Sequence, residues 1–369
     1  MSKKNFSFGW IILHWFGARR DQFVLWMSST TFALAIAVFI SFSKRMRMSH
    51  NNGISGTGKV RIVDNPQFPP HDFFTAGKQY PARIRHAMVS FMDDAMNDVF
   101  GFSIKFSDHH WDSPFDLECN SGQISLFWSA VSFLKFASLR KVQWGVQYQE
   151  LYRKYPMCYK GAVITLRRDV SSYENIHYYS KTPFYFIGKD GITRYAKYKV
   201  TPYSGEPETG LYGDPSEWDV ANARILPHET RGRNFLKEEY AERVKAQGAK
   251  YLMQIQLRTA SDDEPAEVFN NMLPWDEAVY PWQDLAVVDI DATLDWNESL
   301  RTTFSLNNMP KSLGRIPAKS IYDYNSVNHM RAHSEIARKA RLWSYKIKGF
   351  PPPIPDDDDR NGTEWSKTK

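Results

Sequence analysis

The run Arg47-Met-Ser-His-Asn-Asn-Gly53-Ile-Ser-Gly56-Thr-Gly58-Lys59 sets His50 directly after Ser49 and three residues after Arg47. Histidine exchanges protons near neutral pH, and a hydroxyl neighbour can bias which ring nitrogen carries the proton. Three closely spaced glycines let backbone pass near a bulky group or turn through positive φ. One chemistry this could serve is phosphate binding, because Gly53-x-x-x-x-Gly58-Lys59 copies most of a phosphate loop. That motif needs a hydroxyl after the lysine and a following helix. Val60 stands there instead, and Lys59–Val63 alternates like a strand. The phosphate reading fails. His50 is then either an acid–base group in a pocket or a residue capping its own loop, and the rest of the chain decides.

A second cluster follows in Tyr80-Pro-Ala-Arg-Ile-Arg-His-Ala87, Gly101-Phe-Ser-Ile-Lys-Phe106, Phe115-Asp-Leu-Glu-Cys-Asn120 and Phe133. A third is Ser320-Ile-Tyr-Asp-Tyr-Asn-Ser-Val-Asn-His-Met-Arg331. In this order the segments resemble those of catalase-fold haem proteins. Asn65-Pro-Gln-Phe-Pro-Pro-His-Asp-Phe-Phe-Thr-Ala-Gly77, Tyr251-Leu-Met-Gln-Ile-Gln-Leu257 and Pro281-Trp-Gln-Asp-Leu285 are similar to one branch, the allene oxide synthase-like (catalase-related) proteins. The likeness runs from about Arg47 to about Arg341. It implies haem b as cofactor, with His50 and Asn120 on its distal side and Ser49 damping the histidine. It also implies Arg47 and Arg85 on the propionates, and Phe133 stacked on the porphyrin. Phe100 departs from the arginine that catalases usually have before Gly101.

The proximal side is where the likeness breaks. The family binds iron through a tyrosinate, with an arginine one helical turn before it. Arg331 matches that arginine, and the tyrosine is expected at 335, where this chain has Glu335. A carboxylate is a hard oxygen donor that could ligate ferric iron. It also stands at i,i+4 spacing for an ion pair with Arg331. A rival register, Arg341-Leu-Trp-Ser-Tyr345, reproduces the motif ten residues later. On one continuous helix that is roughly 15 Å away, so Glu335 is the aligned position and Tyr345 the alternative.

The elements that must position these residues are legible in part. Hairpin spacing joins Thr182–Ile187 to Ile192–Val200, Tyr251–Leu257 and Ala286–Ile290 alternate as strands, and Phe235–Gln247 has helical spacing. Many strands with interspersed helices and no βαβ rhythm predict an α+β domain built on an antiparallel β-barrel, and the resemblance implies that this barrel is catalase-like, with surrounding helices. Cys119 and Cys158 are too few for a disulfide framework. The 12 Trp, 19 Tyr and 24 Phe suit a large core or an apolar ligand cavity.

The net charge of +6 is unevenly spread. Residues 1–22 open with Lys3, Lys4, Arg19 and Arg20, and Phe23–Phe42 is then uncharged and long enough, as a helix, for a bilayer core. Residues 23–43 are therefore expected to be a single-pass membrane anchor, residues 44–349 the haem domain, and residues 350–369, rich in Pro and Asp, a disordered tail. The resulting expectation is a membrane-associated haemoprotein cleaving the O–O bond of fatty-acid hydroperoxides, with a lipid membrane as partner, a lipoxygenase upstream and no nucleic acid. A catalase-fold binding or scaffold module without haem turnover is the alternative, for which Glu335 speaks. Catalase activity on hydrogen peroxide is a third, weakened by Ser49, Phe100 and the short chain.

Overall fold

The structure, a computed structural model, describes residues 8–139, 146–213, 225–226, 228–261 and 263–353. Its strands are β1 Gly53–Ile62, β2 Gln79–Met88, β3 Asp98–Lys105, β4 Asp116–Ser121, β5 Leu166–Arg167, β6 Tyr178–Tyr179, β7 Phe184–Ile187, β8 Thr193–Pro202, β9 Ala249–Thr259 and β10 Trp282–Thr293. The ring runs β1-β10-β9-β8-β6-β4-β3-β2 and closes through the pairing of β2 with β3, leaving β5 and β7 outside it. Every pairing is antiparallel. Closure removes the free edges that an open sheet exposes. The expected hairpin is present as β7 and β8, with Ile187 opposite Thr193 and Gly191 at φ +71° in the turn.

The barrel is filled from alternate positions, including Val60, Ile84, Phe102, Ile104, Tyr198, Met253 and Val288. A polar cluster centred on a histidine sits among them. His86 on β2 is fully buried, with Nδ1 3.1 Å from the Tyr178 hydroxyl and Nε2 2.8 Å from that of Tyr251, and it stacks on Tyr173. Burial, reinforced by the neighbouring Arg85 charge, pushes its pKa down to about 3.

The helices are α1 Phe8–Ile36, α2 Ala130–Leu139, α3 Val146–Lys154, α4 Pro156–Thr165, α5 Phe235–Gln247, α6 Trp296–Arg301, α7 Ser326–His333 and α8 Glu335–Lys348. α1 runs on into a π-helical turn, Ala37–Phe42. It begins well before the expected boundary at Phe23, and it does not stand free of the domain as a bare anchor would. Leu25, Ser29, Ala33, Ile36, Ala37 and Ser41 form one buried stripe. Leu25 packs with Ala130, Ala318 and Met330, and Ile36 and Ala37 pack with Ala337. Removing residues 1–43 would therefore strip packed helix from the domain. Lys3 and Lys4 lie outside the described residues. At the other end Trp296 donates to the Pro351 carbonyl at 2.7 Å, so the chain is tied down to that point; the remainder of the expected tail, 354–369, is outside the described residues.

α7 and α8 are not one regular helix, as the proximal reading assumed. Ser334 between them has ψ −8°, far from the helical value near −42°. The residues that face the barrel, Val327, Met330, Arg331, Ser334, Ala337, Arg338 and Arg341, still keep helical spacing across the joint.

The barrel histidine makes stability pH-dependent. Its pKa is about 3 when folded and about 6.5 when unfolded, so between these values the unfolded chain binds the extra proton. His86 thus contributes no penalty above pH about 6.5 and removes on the order of 4–5 kcal/mol as pH falls towards 3. Denaturant titrations at successive pH values across that window should show a shallower loss in His86→Gln than in the parent.

Candidate functional site

His50 sits in the left-handed region at φ +63°, a conformation that costs a side-chain-bearing residue about 1–3 kcal/mol. Four contacts hold it there. Its amide donates to the Val89 carbonyl at 3.1 Å. Arg85 donates to the His50 carbonyl at 2.8 Å and to the Asn51 carbonyl at 3.1 Å. Asn51 clamps the start of the loop, accepting from the Arg47 amide at 2.8 Å and donating to the Arg47 carbonyl at 3.0 Å. Asn52 is tied to Asp94 at 2.8 Å and to Lys237 at 2.6 Å, while Asp94 also accepts from the Leu236 amide at the start of α5.

The ring lies against Gly101 on β3. A Cβ at that position would stand 2.7 Å from His50 Cδ2 and 2.8 Å from Nε2, so close approach requires glycine here. Gly101 pairs with Asn120 on β4, which brings the Asn120 Oδ1 to 3.4 Å from His50 Nε2. On the other edge the Ser49 hydroxyl is 2.8 Å from Nδ1. A Ser49 proton donated to Nδ1 leaves the ring proton on Nε2, facing Asn120.

This trio opens on a cavity of about 300 Å³. Phe32, Ala33 and Ile36 of α1 form one wall, Leu126, Phe127, Phe133 and Phe136 another, and α7 with α8 the floor opposite the barrel. Phe133, expected against a porphyrin, packs edge-on to Phe32 at 5.9 Å and to Phe127 at 4.9 Å.

Charge in this cavity is lopsided. Arg47, Arg85, Arg331, Arg338, Arg341 and Lys181 line it, and Glu118 is the one carboxylate among the described lining residues. Arg47 is solvated by the carbonyls of Ser299, Leu300 and Thr302, at 3.0–3.2 Å, where the C-terminal end of α6 favours a cation. Burial, with Arg341 and Arg85 nearby, still draws its pKa well down. Burial likewise lowers Arg85, to about 10, and lowers Arg341 and Lys181. Among the described residues, Nε and Nη2 of Arg341, which is 2% exposed, have no hydrogen-bond partner, nor do Nε of Arg47 and Nε of Arg85. Such unpaired buried donors suit an anionic ligand.

Sequence reasoning missed four of these residues. Glu118 was findable, since it lies two positions before Asn120 on β4 and so on the same face. Ser334 and Arg338 follow from the helical stripe once Arg331 is fixed. Lys181, held at φ +63°, has no signal in its neighbours.

No protein-family model matches the chain. It is 37% identical over 289 residues to the allene oxide synthase-lipoxygenase protein of Plexaura homomalla, covering 77% of this chain and 27% of that one. It is 26% identical over 259 residues to linolenate 9R-lipoxygenase of a Nostoc species, covering 66% and 31%. With the uncharacterized protein y4iK of Sinorhizobium fredii it shares 30% over 175 residues, 44% of this chain and 71% of that one. Its backbone superposes on a bacterial catalase with a TM-score of 0.62 at 14% identity, covering 84% of this chain and 60% of that one. A fungal catalase gives 0.58 at 16%, covering 86% and 66%. The chain belongs to the allene oxide synthase-like, catalase-related branch of the catalase fold. It spans less than a third of the length of the first two relatives.

Catalase-like relatives imply a haem-type cofactor, and this member meets that group only in part. The unpaired guanidinium nitrogens fit carboxylates, and His50 with Asn120 stands on one side. The axial bond is what the cavity fails to supply. No tyrosine is among the described lining residues. Glu335 falls off the inward stripe by one position, and its carboxylate is taken by Lys339 at 2.8 Å and Asn307 at 2.7 Å. It is not paired with Arg331, as its spacing had suggested. Arg331 pairs with Glu118 at 2.9 Å, and Arg338 pairs with the same carboxylate at 2.8 Å. Burial alone would raise the Glu118 pKa; Arg338 and Arg331 outweigh it and hold it low. Tyr345 lies beyond the cavity, its ring packed at a tilt against Phe350 at 4.8 Å and its hydroxyl donating to the Arg45 carbonyl at 3.3 Å. Cys119 lines the cavity, but burial pushes its thiol up to about 12. The residues do not fit a tyrosinate-bound haem.

The inward position on the stripe is Ser334, with Arg331 one turn before it and Arg338 one turn after. Haem titration of the parent should give a weak Soret band. Ser334→Tyr should tighten haem binding by more than the roughly tenfold that outer-shell partners carry, with a phenolate-type spectrum. Glu335→Tyr should leave the band as in the parent, and a strong band in Glu335→Tyr alone would restore the ungapped register.

Proposed function

We propose that this protein is a membrane-associated member of its branch whose cavity receives a fatty-acyl hydroperoxide, binding it without tyrosinate-haem turnover. The observation that carries this reading is the pairing of His50 Nε2 and Asn120 at one end of a cavity walled largely by phenylalanines and arginines, with no tyrosine among its described lining residues. The hydroperoxy group would take the ring proton of His50 and the amide of Asn120. Ser49, bonded to Nδ1, would keep that proton on the cavity side and restrain the shuttling that dismutation of hydrogen peroxide requires. The acyl chain would lie along the apolar walls, and its carboxylate would meet the unpaired nitrogens of Arg341 and Arg47. Such a substrate is the product class of lipoxygenases, which fits a lipoxygenase acting upstream.

A second reading is haem-dependent conversion of the same hydroperoxide, with the allene oxide synthase in the name of the Plexaura relative as its support. The unpaired guanidinium nitrogens of Arg47, Arg85 and Arg341 favour it, since two propionates would satisfy them. In this reading haem supplies O–O cleavage when bound, and His50 and Asn120 orient the peroxide.

Binding of a fatty-acid hydroperoxide, its alcohol and the parent acid, followed calorimetrically, separates the two. The hydroperoxide should bind tightest and be recovered intact. His50→Ala and Asn120→Ala should each weaken it roughly three- to tenfold, the worth of one hydrogen bond, while leaving the parent acid unaffected. Consumption of the hydroperoxide by protein carrying a Soret band would replace the binding reading with the enzymatic one.

A further inference from the structure

From residue 22 on, α1 and the π turn that follows it carry no charge on any side, yet the domain covers one stripe of them. A helix hydrophobic all round needs a non-aqueous phase on all its faces. The faces left bare carry Phe23, Trp26, Met27, Leu34, Val38 and Phe39, the last 70% exposed. The exposed surface continues onto α8, where Trp343 packs on Phe42 at 5.1 Å and, like Ile347, is 58% exposed. Basic residues rim this patch at both ends, with Arg19 and Arg20 at one and Lys44, Arg45, Lys346 and Lys348 at the other. Lys348 also binds the Phe42 carbonyl at 3.0 Å.

Spanning a bilayer and docking on the domain compete for the same residues. The uncharged stretch, 22–43, is the docked one. The undocked stretch before it carries Arg19, Arg20 and Asp21 and cannot supply a second apolar span. If the docked stretch left to span, Phe32, Ala33 and Ile36 would leave the cavity wall with it, and Leu25 and Ile36 would lose their protein contacts.

We propose that α1 stays docked and lies in the plane of an anionic membrane face, its bare side in the acyl region and its basic rim on the headgroups. The apolar area supplies the insertion and the rim the preference for acidic lipid. Because the same helix walls the cavity, a lipid leaving the bilayer meets the site across a single layer of side chains. That access rests on the functional reading above; the docking does not.

The test uses the full chain, purified in detergent and diluted onto vesicles of phosphatidylcholine with or without phosphatidylserine. In Phe42→Cys/Trp343→Cys, at positions whose native rings stand 5.1 Å apart on the accessible side, a short bismaleimide locks the π turn that ends α1 to α8; native Cys119 and Cys158 are buried. Locked and unlocked protein should sediment equally with the anionic vesicles and at least about tenfold more weakly with neutral ones. Val38→Asp/Phe39→Asp should weaken sedimentation by about tenfold or more and leave hydroperoxide binding in detergent unchanged. Loss of vesicle binding on locking would show that the helix must leave to span. Absence of binding by the unlocked chain, or a dimer that Val38→Asp/Phe39→Asp dissociates, would equally overturn the proposal, the second by giving the surface to another copy of the chain. Failure of hydroperoxide binding alone would remove the functional reading and leave the vesicle result standing.

Discussion

Six cations around one cavity share a single described carboxylate, and the architecture of the site follows from that imbalance. A buried guanidinium without a counter-charge must be solvated by dipoles or by a ligand. Arg47 is solvated by three carbonyls at the end of α6, Arg85 by two carbonyls of the His50 loop. Each solution fixes a piece of backbone. The Arg85 bonds fix the two peptide units after His50, and thereby help hold His50 at positive φ with its ring on Gly101. The histidine's aim is thus a by-product of solvating an arginine behind it. Arg341 has no such arrangement for Nε and Nη2, which makes it the group whose satisfaction is left to whatever enters.

Glu118 answers the same imbalance on the opposite side. With no phenolate one turn away, Arg331 takes Glu118, and Arg338 joins it. Glu118 stands on β4 two residues before Asn120, so the ion pairs tie the barrel wall carrying the distal amide directly to the helices that would carry an axial ligand. Breaking such a part-buried pair strands the remaining charge, at less than the ~3–5 kcal/mol that a fully buried pair would cost. The pairs therefore stiffen the distance across the cavity. A ligand that bonds to both faces has to fit that distance, and one that lies along the phenylalanine walls does not.

The barrel and its hairpins were legible because period-two alternation is written residue by residue, and β8, β9 and β10 carry it over ten residues or more. The meeting of His50 with Asn120 was legible only through family resemblance, since nothing local links residues 70 positions apart. What escaped has physical reasons. Counting four from Arg331 assumes that the arginine points along the middle of the inward stripe. It stands at the edge, so 334 faces in and Glu335 faces aside. Tyr345 continues the same stripe four residues past Arg341, and a motif match cannot show that the cavity ends before it. Lys181 depends on a positive φ at a non-glycine residue, which tertiary contacts impose and sequence does not announce.

Hydropathy gave the uncharged part of α1 and its π turn, not where the helix begins, and nothing about what would cover it. Length and absence of charge are shared by a membrane span and by a helix lying between a protein and a lipid surface. The distinction sits in small and polar residues. Ser29 and Ser41 are buried with Ala33 and Ala37 on one stripe, and small residues are where a helix approaches another closely. Ser344 closes one of those approaches by donating to the Ser41 carbonyl at 3.3 Å, inside the π-helical turn. The Ser41 carbonyl lies in the last turn, where a helix has no donor of its own left for it, and here it is used by α8. A free-standing span would gain nothing from that turn, whereas a helix that must end against α8 and deliver Arg47 and His50 a few residues later gains the bend it needs.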